Sequence, residues 1–348
     1  MRRDAVIVDA VRTPVGRRGG AYKDTHPVEL SAHVLKTLIQ RTRIDPALVE
    51  DVIWGVVGQV GEQAMNVGRN AVLAAGWPES VPGTTVDRQC GSSQQAVHFA
   101  AAGVVAGHYD LVVAGGVEVM TRVPLGASTG TGVGRPFGPG IGHRYGTQEF
   151  NQGLGAETIA ARWDISRQRL DEFSLSSHEK AALAIDSGAF AGQYAIVPGT
   201  GLMADEGVRR DTTLEKMSGL KPSFKENGVI HAGNSSQISD GAGALMIATS
   251  EKARELGLKP LARLVAFAVA GDDPVVMLAA PIPATAKVLS RSGLSIGEIG
   301  AFEINEAFAS VPLAWLAETG ADPHRLNPLG GAIAIGHPLG GSGAILMT

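Results

Sequence analysis

The sequence repeats itself at a separation of 250 positions, and few folds accommodate that. Ile44 to Val52 reappears in kind as Leu294 to Phe302, with Val49 falling on Ile299 and Val52 on Phe302. Gly91-Ser92 meets Gly341-Ser342 at the same separation, and a helical pattern that stops at Gly76 is answered by one that stops at Gly320. Element order and spacing recur while identity is low. Two similar α/β halves packed together would produce that pattern.

Taken in order, Ala5 to Val11 is a β-branched run closed by Arg12-Thr13-Pro14, and a one-sided apolar pattern predicts a helix from Pro27 to Arg41. A strand over Asp51 to Val57, a helix over Glu62 to Ala75 and a strand over Asp110 to Ala114 follow. In the second half, Leu261 to Val269 reads as a strand, Pro283 to Ser290 as a helix, and another strand stops at Asn305. The matching copy of the Cys90 helix reaches only Thr348, so the repeat predicts an incomplete second half. The expected organisation is an N-terminal half, 1–121, completed by 229–254; an inserted loop domain, 122–228; and a C-terminal half, 255–348. An insertion of that length on an α/β core is more often functional than idle. Its glycine-rich run, Gly130 to Gly140, follows no expected strand and opens no expected helix, which excludes a dinucleotide fingerprint.

At 348 residues and 44% hydrophobic composition, about two domains are expected. The net charge of -4 gives no case for a nucleic-acid or membrane partner. No stretch approaches the roughly 20 apolar residues of a membrane span. Ala5-Val6-Ile7-Val8 is too short a run for a signal peptide. A single cysteine forbids an internal disulfide and suits a reducing, cytoplasmic setting. The 46 glycines cluster where strands end, at Gly115-Gly116, Gly241, Gly243, Gly330-Gly331 and Gly340-Gly341, where backbone must approach a neighbour or ligand closely.

Cys90 stands where an extended segment hands over to a helix whose Ala96, Val97, Phe99, Ala100, Ala101, Val104 and Val105 cover most of its circumference. That predicts burial on all sides. A thiol at the first turn of such a helix would feel the positive end of the macrodipole, which favours the thiolate. The plainer reading is a small apolar core residue. Three other stretches fall at strand-to-helix junctions: Glu303 to Ala309, Gly330 to Gly343 with its histidine in a glycine-rich turn, and the polar turn His231 to Gly241. Thiol chemistry needs a base and donors for a developing oxyanion, and Cys90, His337 and Asn305 supply those types. His337 could equally be structural, Asn305 could cap the following helix, and Glu306 could be a first-turn carboxylate with no catalytic role. The other histidines read as structural or surface.

From Val6-Ile7-Val8-Asp9-Ala10-Val11-Arg12-Thr13-Pro14 to its last residue, the chain resembles the thiolase family of acetyl-CoA acetyltransferases and 3-ketoacyl-CoA thiolases. The resemblance is carried by the region around Cys90, by Asn305-Glu306-Ala307-Phe308 and by Gly336-His337-Pro338. It implies a five-layer α-β-α-β-α fold from two βαβαβαββ-type halves, with a loop domain inserted in the first. It also implies an acyltransferase that cleaves 3-ketoacyl-CoA to acetyl-CoA and a shortened acyl-CoA, or runs the reverse condensation, as in fatty-acid β-oxidation. Cys90 would carry the acyl group as a thioester, and His337 would accept its proton. Asn305 would hold a water as an oxyanion donor. Ser236 would meet the pantetheine of coenzyme A and Arg209 its adenine, while Gln152 and Met277 would line the acyl pocket. Coenzyme A enters as a substrate; no resident cofactor and no metal are implied, and a homodimer or homotetramer is expected.

Two departures stand out. The family has a second cysteine, in a Cys-x-Gly-Gly-Gly-type loop, that exchanges the α-carbon proton, and this sequence has one cysteine. Asn151-Gln152-Gly153 stands where biosynthetic members have His-Met-Gly, which hints at a degradative role. A relative that binds coenzyme A or lipid without turnover, and a decarboxylating condensing enzyme, are the alternatives.

Overall fold

Central strands that are buried along their whole length belong to a sheet covered on both faces, and this chain builds one. The structure, a computed structural model, describes every residue except Met1, Arg2, Thr131, Val133 and Gln148. Strands β1 (Val6–Arg12), β2 (Gly16–Arg17), β3 (Val52–Gly55), β4 (Thr84–Val86), β5 (Leu111–Val119), β6 (Ser239–Ala248) and β7 (Ala262–Arg263) form a seven-stranded mixed sheet. Its order is β4-β3-β5-β6-β1-β7, with β2 beside β6. β3 runs parallel to β4 and β5, whereas β6 is antiparallel to β5 and β1. The register sets Val113 opposite both Val52 and Met246, and Gly116 opposite Gly243.

Helices α1 (Pro27–Thr42) and α2 (Val67–Ala74) cover one face, enclosing Leu30, Leu35, Trp54, Val113 and Met246. α1 forms where the sequence places it. His26 Nδ1 accepts the Val28 N–H at 3.2 Å, Pro27 occupies the first turn, and Arg43 ends the helix in the left-handed region at φ 58°. Burying each of Leu30, Leu35 and Leu38 contributes about 1.5–3 kcal/mol. On the other face α3 (Ser92–Ala106) packs Val97, Ala101 and Val104 on Val112 and Leu245.

The remaining helices are α4 (Pro139–Tyr145), α5 (Gln152–Arg162), α6 (Arg167–Asp186), α7 (Leu214–Ser218), α8 (Ser250–Glu255), α9 (Pro281–Ser292), α10 (Ser310–Thr319) and α11 (Ser342–Met347). A buried ion pair ties residue 205 to β1: Arg12 donates to both Asp205 oxygens at 2.7 and 2.9 Å, flanked by the rings of Phe190 and Tyr194. The repeat is visible in the elements themselves. α3 and α11 begin at Ser92 and Ser342, and the single 3-10 turns Pro46–Leu48 and Ile296–Glu298 lie the same 250 positions apart.

Five expectations need correction. The strand expected over Leu261 to Val269 pairs only at Ala262–Arg263. The one ending at Asn305 is extended backbone joined through the single bridge Phe302↔Leu326. Strands exist by pairing, and among the described residues these segments make no further strand pairing. The helix expected over Glu62 to Ala75 breaks into a 3-10 turn at Gly61–Gln63 and then α2, because Asn66 caps α2 from φ 61° by accepting the Arg69 N–H. α3 is not buried all round: Phe99 and Val105 are 48% and 42% exposed, Phe99 on the side that borders the edge strand β4. Finally, α4 does open at the end of the glycine-rich run, whose Thr131 and Val133 lie outside the described residues, but among the described residues no strand leads directly into that run.

Candidate active site

Between β4 and α3 the chain turns sharply, with Gln89 at φ 47° and Gly91 as N-cap. Ser92 closes the turn: its Oγ accepts the Arg88 N–H at 2.9 Å and donates to the Gln89 carbonyl at 2.6 Å. Cys90 therefore sits just before the cap rather than in the first helical turn. The electrostatics reverse the sequence expectation as well. Burial pushes the Cys90 thiol up to about 11, and Glu118 and Asp87 push the same way; its own backbone N–H and the nearby Gln152 side chain only partly oppose them. At rest the sulfur is a thiol.

The related end of α11 lies directly against α3. Ala344 N donates to Ser93 Oγ at 3.0 Å. The sheet below permits this closeness because β5 has glycine at 116, where a Cβ would stand 2.2 Å from the Gly340 carbonyl oxygen. Glu118, at the end of β5, then secures the loop. Its carboxylate accepts from Val57 N and Gly340 N on one oxygen and from Gly58 N and Gln63 Nε2 on the other.

His337 stands in that loop, 3% exposed. Its backbone N–H donates to Ser239 Oγ at 3.1 Å, and its Nδ1 lies 2.6 Å from Ser342 Oγ. Its Nε2 is 3.2 Å from Asn305 Nδ2. Burial pushes this imidazole down to about 4, so it is neutral near pH 7. Asn305 does not cap α10, whose N-cap is Ala309 without a side-chain bond; it faces the imidazole, and its Oδ1 is buried without a partner among the described residues. Glu306, 1% exposed, accepts from Ser177 Oγ, Asn327 Nδ2 and Ile333 N. It ties α6 to the loop that leads to His337, which is a structural task.

The other sequence-selected residues take distinct places. Ser236 N donates to the Ala307 carbonyl at 2.9 Å, two residues beyond Asn305, and the neighbouring Gln237 carbonyl accepts the His337 N–H at 3.3 Å. Gln152 opens α5 beside the thiol. Met277, at φ 63°, belongs to the turn whose Val276 carbonyl presses on Gly155 of the same helix. Arg209 is exposed; its backbone N–H donates to His178 Nδ1, and no acid pairs with its guanidinium among the described residues. Arg210, by contrast, is committed to Asp186 at 2.8 Å through both nitrogens. The structure thus joins His337 to Asn305 and sets Gln152 near Cys90, while the helices that follow Cys90 and His337, α3 and α11, touch at Ser93 and Ala344. Sequence reasoning missed Glu118, Ser239 and Ser342. Only Ser342 had a signal, through its alignment with Ser92. Among the described residues no group of three or more His, Cys, Asp or Glu side chains could hold a metal ion.

Cys90 thus precedes α3, and His337, contacted by Asn305, precedes the repeat-related α11, in a chain of α/β class. Two family models match it in tandem: thiolase, N-terminal domain, over residues 5–251 and thiolase, C-terminal domain, over 258–348. Steroid 3-ketoacyl-CoA thiolase FadA6 of Mycobacterium tuberculosis is 48% identical over 99% of this chain and 86% of its own length. A β-ketoadipyl-CoA thiolase of Escherichia coli is 44% identical over 99% and 91% of the two chains. A 3-ketoacyl-CoA thiolase of Erwinia tasmaniensis is 43% identical over 99% and 90%. The chain belongs to the thiolase family.

Proposed function

We propose that the chain is an acyltransferase that cleaves a 3-ketoacyl-CoA by thiolysis, reversibly, through a thioester on Cys90. Relatives named for that reaction, at 41–48% identity over nearly the whole chain, support it. The observation that carries it is the Asn305–His337 contact on the loop that opens α11, a helix packed against the one that the chain's only cysteine precedes.

In this reading the Cys90 sulfur attacks the C3 carbonyl as its proton passes to His337 Nε2, so the S–H bond breaks while C–S and N–H bonds form. The gap between a thiol near 11 and an imidazole near 4 makes a free ion pair rare, so proton transfer and attack are coupled. Asn305 serves the oxygen that becomes anionic. The C2–C3 bond then breaks, and acetyl-CoA departs as its enolate, which takes a proton from water. The thiol of a second coenzyme A gives its proton to the hydroxide left behind and attacks the thioester carbonyl, and Cys90 leaves as its sulfur regains the proton held by His337. Ser236 and the exposed guanidinium of Arg209 would meet coenzyme A, and Gln152 and Met277 the acyl chain.

The chain would work as a homodimer. The support is the exposed edge of β4 and the groove of about 550 Å³ beside it, lined by Ile53, Val86, Phe99 and Tyr109. Unpaired edges of this kind invite a second copy. No helix among the described residues is long and apolar enough to cross a membrane; a cytoplasmic location is proposed from the single cysteine. The test of function is the fall in magnesium-enolate absorbance of a 3-ketoacyl-CoA when free coenzyme A is added. Loss that depends on Cys90 is expected. No loss, with Cys90 also unlabelled by substrate, would overturn the reading.

A further inference from the structure

We infer that Ser342 and Pro338 together fix the tautomer of His337, and that Ser342 is a positioning residue for the proton transfer proposed above. The inference rests on that reading of His337 but has its own structural readout.

Its origin lies in the repeat. Ser92 and Ser342 hold equivalent first-turn positions, and each hydroxyl donates back to a carbonyl of its own turn: Ser92 to Gln89 at 2.6 Å, Ser342 to Pro338 at 2.9 Å. In the first half the Ser92 oxygen also accepts the N–H of Arg88. The equivalent of Arg88 in the second half is Pro338, which has no N–H. The acceptor lone pair of Ser342 is therefore left free. His337 Nδ1 takes it, at 2.6 Å.

Two proton arrangements can be compared bond by bond. With the proton on Nδ1, His337 donates to Ser342 Oγ, Ser342 donates to the Pro338 carbonyl, and Asn305 Nδ2 donates to Nε2, which makes three bonds. With the proton on Nε2, Ser342 turns its hydroxyl to Nδ1 and a flipped Asn305 amide accepts from Nε2, which makes two. Either arrangement leaves one end of the Asn305 amide without a partner. The arrangement with one more bond leaves Nε2 as the basic nitrogen on the Asn305 side. When Nε2 takes the thiol proton, Nδ1–H stays on Ser342 Oγ. A hydroxyl relayed to a carbonyl thus does what a carboxylate does for imidazole in serine hydrolases, without placing a negative charge in the buried site.

The experiment combines ¹⁵N NMR of histidine-ring-labelled protein, the His337 signal assigned by its loss in His337→Asn, with thiolysis kinetics of Ser342→Ala, Ser342→Thr and Pro338→Ala. Expected are a protonated Nδ1 and a bare Nε2 in the parent. In Ser342→Ala, kcat should fall about 100-fold with the KM for coenzyme A within about threefold, and Ser342→Thr should recover most of that loss. Pro338→Ala, which restores a competing N–H, should weaken the Nδ1–H···Oγ bond and lower kcat about tenfold. A parent spectrum with the proton on Nε2 overturns the inference, whatever the activity. So does a folded Ser342→Ala whose tautomer and kcat match the parent. If Ser342→Ala fails to fold, the parent spectrum and the other two variants decide. Absent thiolysis in the parent, with Nδ1 protonated, would instead count against the reaction and leave the tautomer standing.

Discussion

Glu118→Gln should be among the most damaging conservative changes in this chain. The native carboxylate is 2% exposed and splits its acceptors evenly: Val57 N at 3.0 Å and Gly340 N at 2.9 Å on one oxygen, Gly58 N at 3.0 Å and Gln63 Nε2 on the other. A glutamine amide keeps one oxygen and presents an NH2 in place of the other, so in either orientation it confronts two N–H donors. A flip of Gln63 offers no escape, because its Oε1 already accepts the Val119 N–H at 2.9 Å. Two bonds to a charged acceptor are lost at about 1.5–3 kcal/mol each, so the expected loss is about 3–6 kcal/mol against a total of roughly 5–15. At a urea slope of about 3 kcal/mol/M, that lowers the unfolding midpoint by at least about 1 M. Urea unfolding followed by tryptophan fluorescence measures it, with Glu62→Gln as control. That control breaks a solvent-exposed ion pair with Arg122 and should move the midpoint far less. A Glu118→Gln midpoint within about 0.2 M of the parent would show that the four donors find other partners and that Glu118 does not secure the Gly340 loop.

His337 imposes a pH dependence whose sign is fixed by its depressed folded-state value. The unfolded histidine, near 6.5, binds a proton that the folded one, near 4, refuses, so stability falls as pH drops through that window. Between pH 7 and 5 the parent should lose about 2 kcal/mol more than His337→Asn, read from urea midpoints at each pH; equal losses would refute the burial argument. For Cys90, held near 11, iodoacetamide labelling of the free protein should rise about tenfold per pH unit from pH 7 to 10, and a plateau by pH 8 would mean that the helix N-terminus prevails over burial after all. Arg209→Ala should raise the KM for coenzyme A about three- to tenfold, with kcat little changed, if its free guanidinium stacks on the adenine, while Arg210→Ala should not; equal effects would remove Arg209 from the binding site. Phe99→Glu should shift the protein from dimer to monomer in sedimentation analysis, and an unchanged mass would place the interface elsewhere.

What could be read before the fold was known divides along a physical line. α1 was legible nearly to the residue because its apolar spacing, proline and cap are local. So was the repeat, since the equivalent starts of α3 and α11 are a matter of counting. Pairing is not local, and the segments around Val265 and Ile304 have strand-like composition without the neighbours that make a strand. The outward face of α3 misled for a related reason, since an apolar face on a sheet-edge helix serves a second copy as readily as an interior. The thiol is the most instructive case. Position before a helix argues for a low value, but the decision belongs to the dielectric around the sulfur and to Glu118, 28 residues further along the chain. Buried polar partners such as Glu118 and Ser342 are chosen by donors that converge from distant segments, so single-residue patterns cannot announce them. The duplication offers a way around that limit: where two copies of one turn differ at a single backbone donor, as at Arg88 and Pro338, the difference itself marks the group whose hydrogen bond has been released for chemistry.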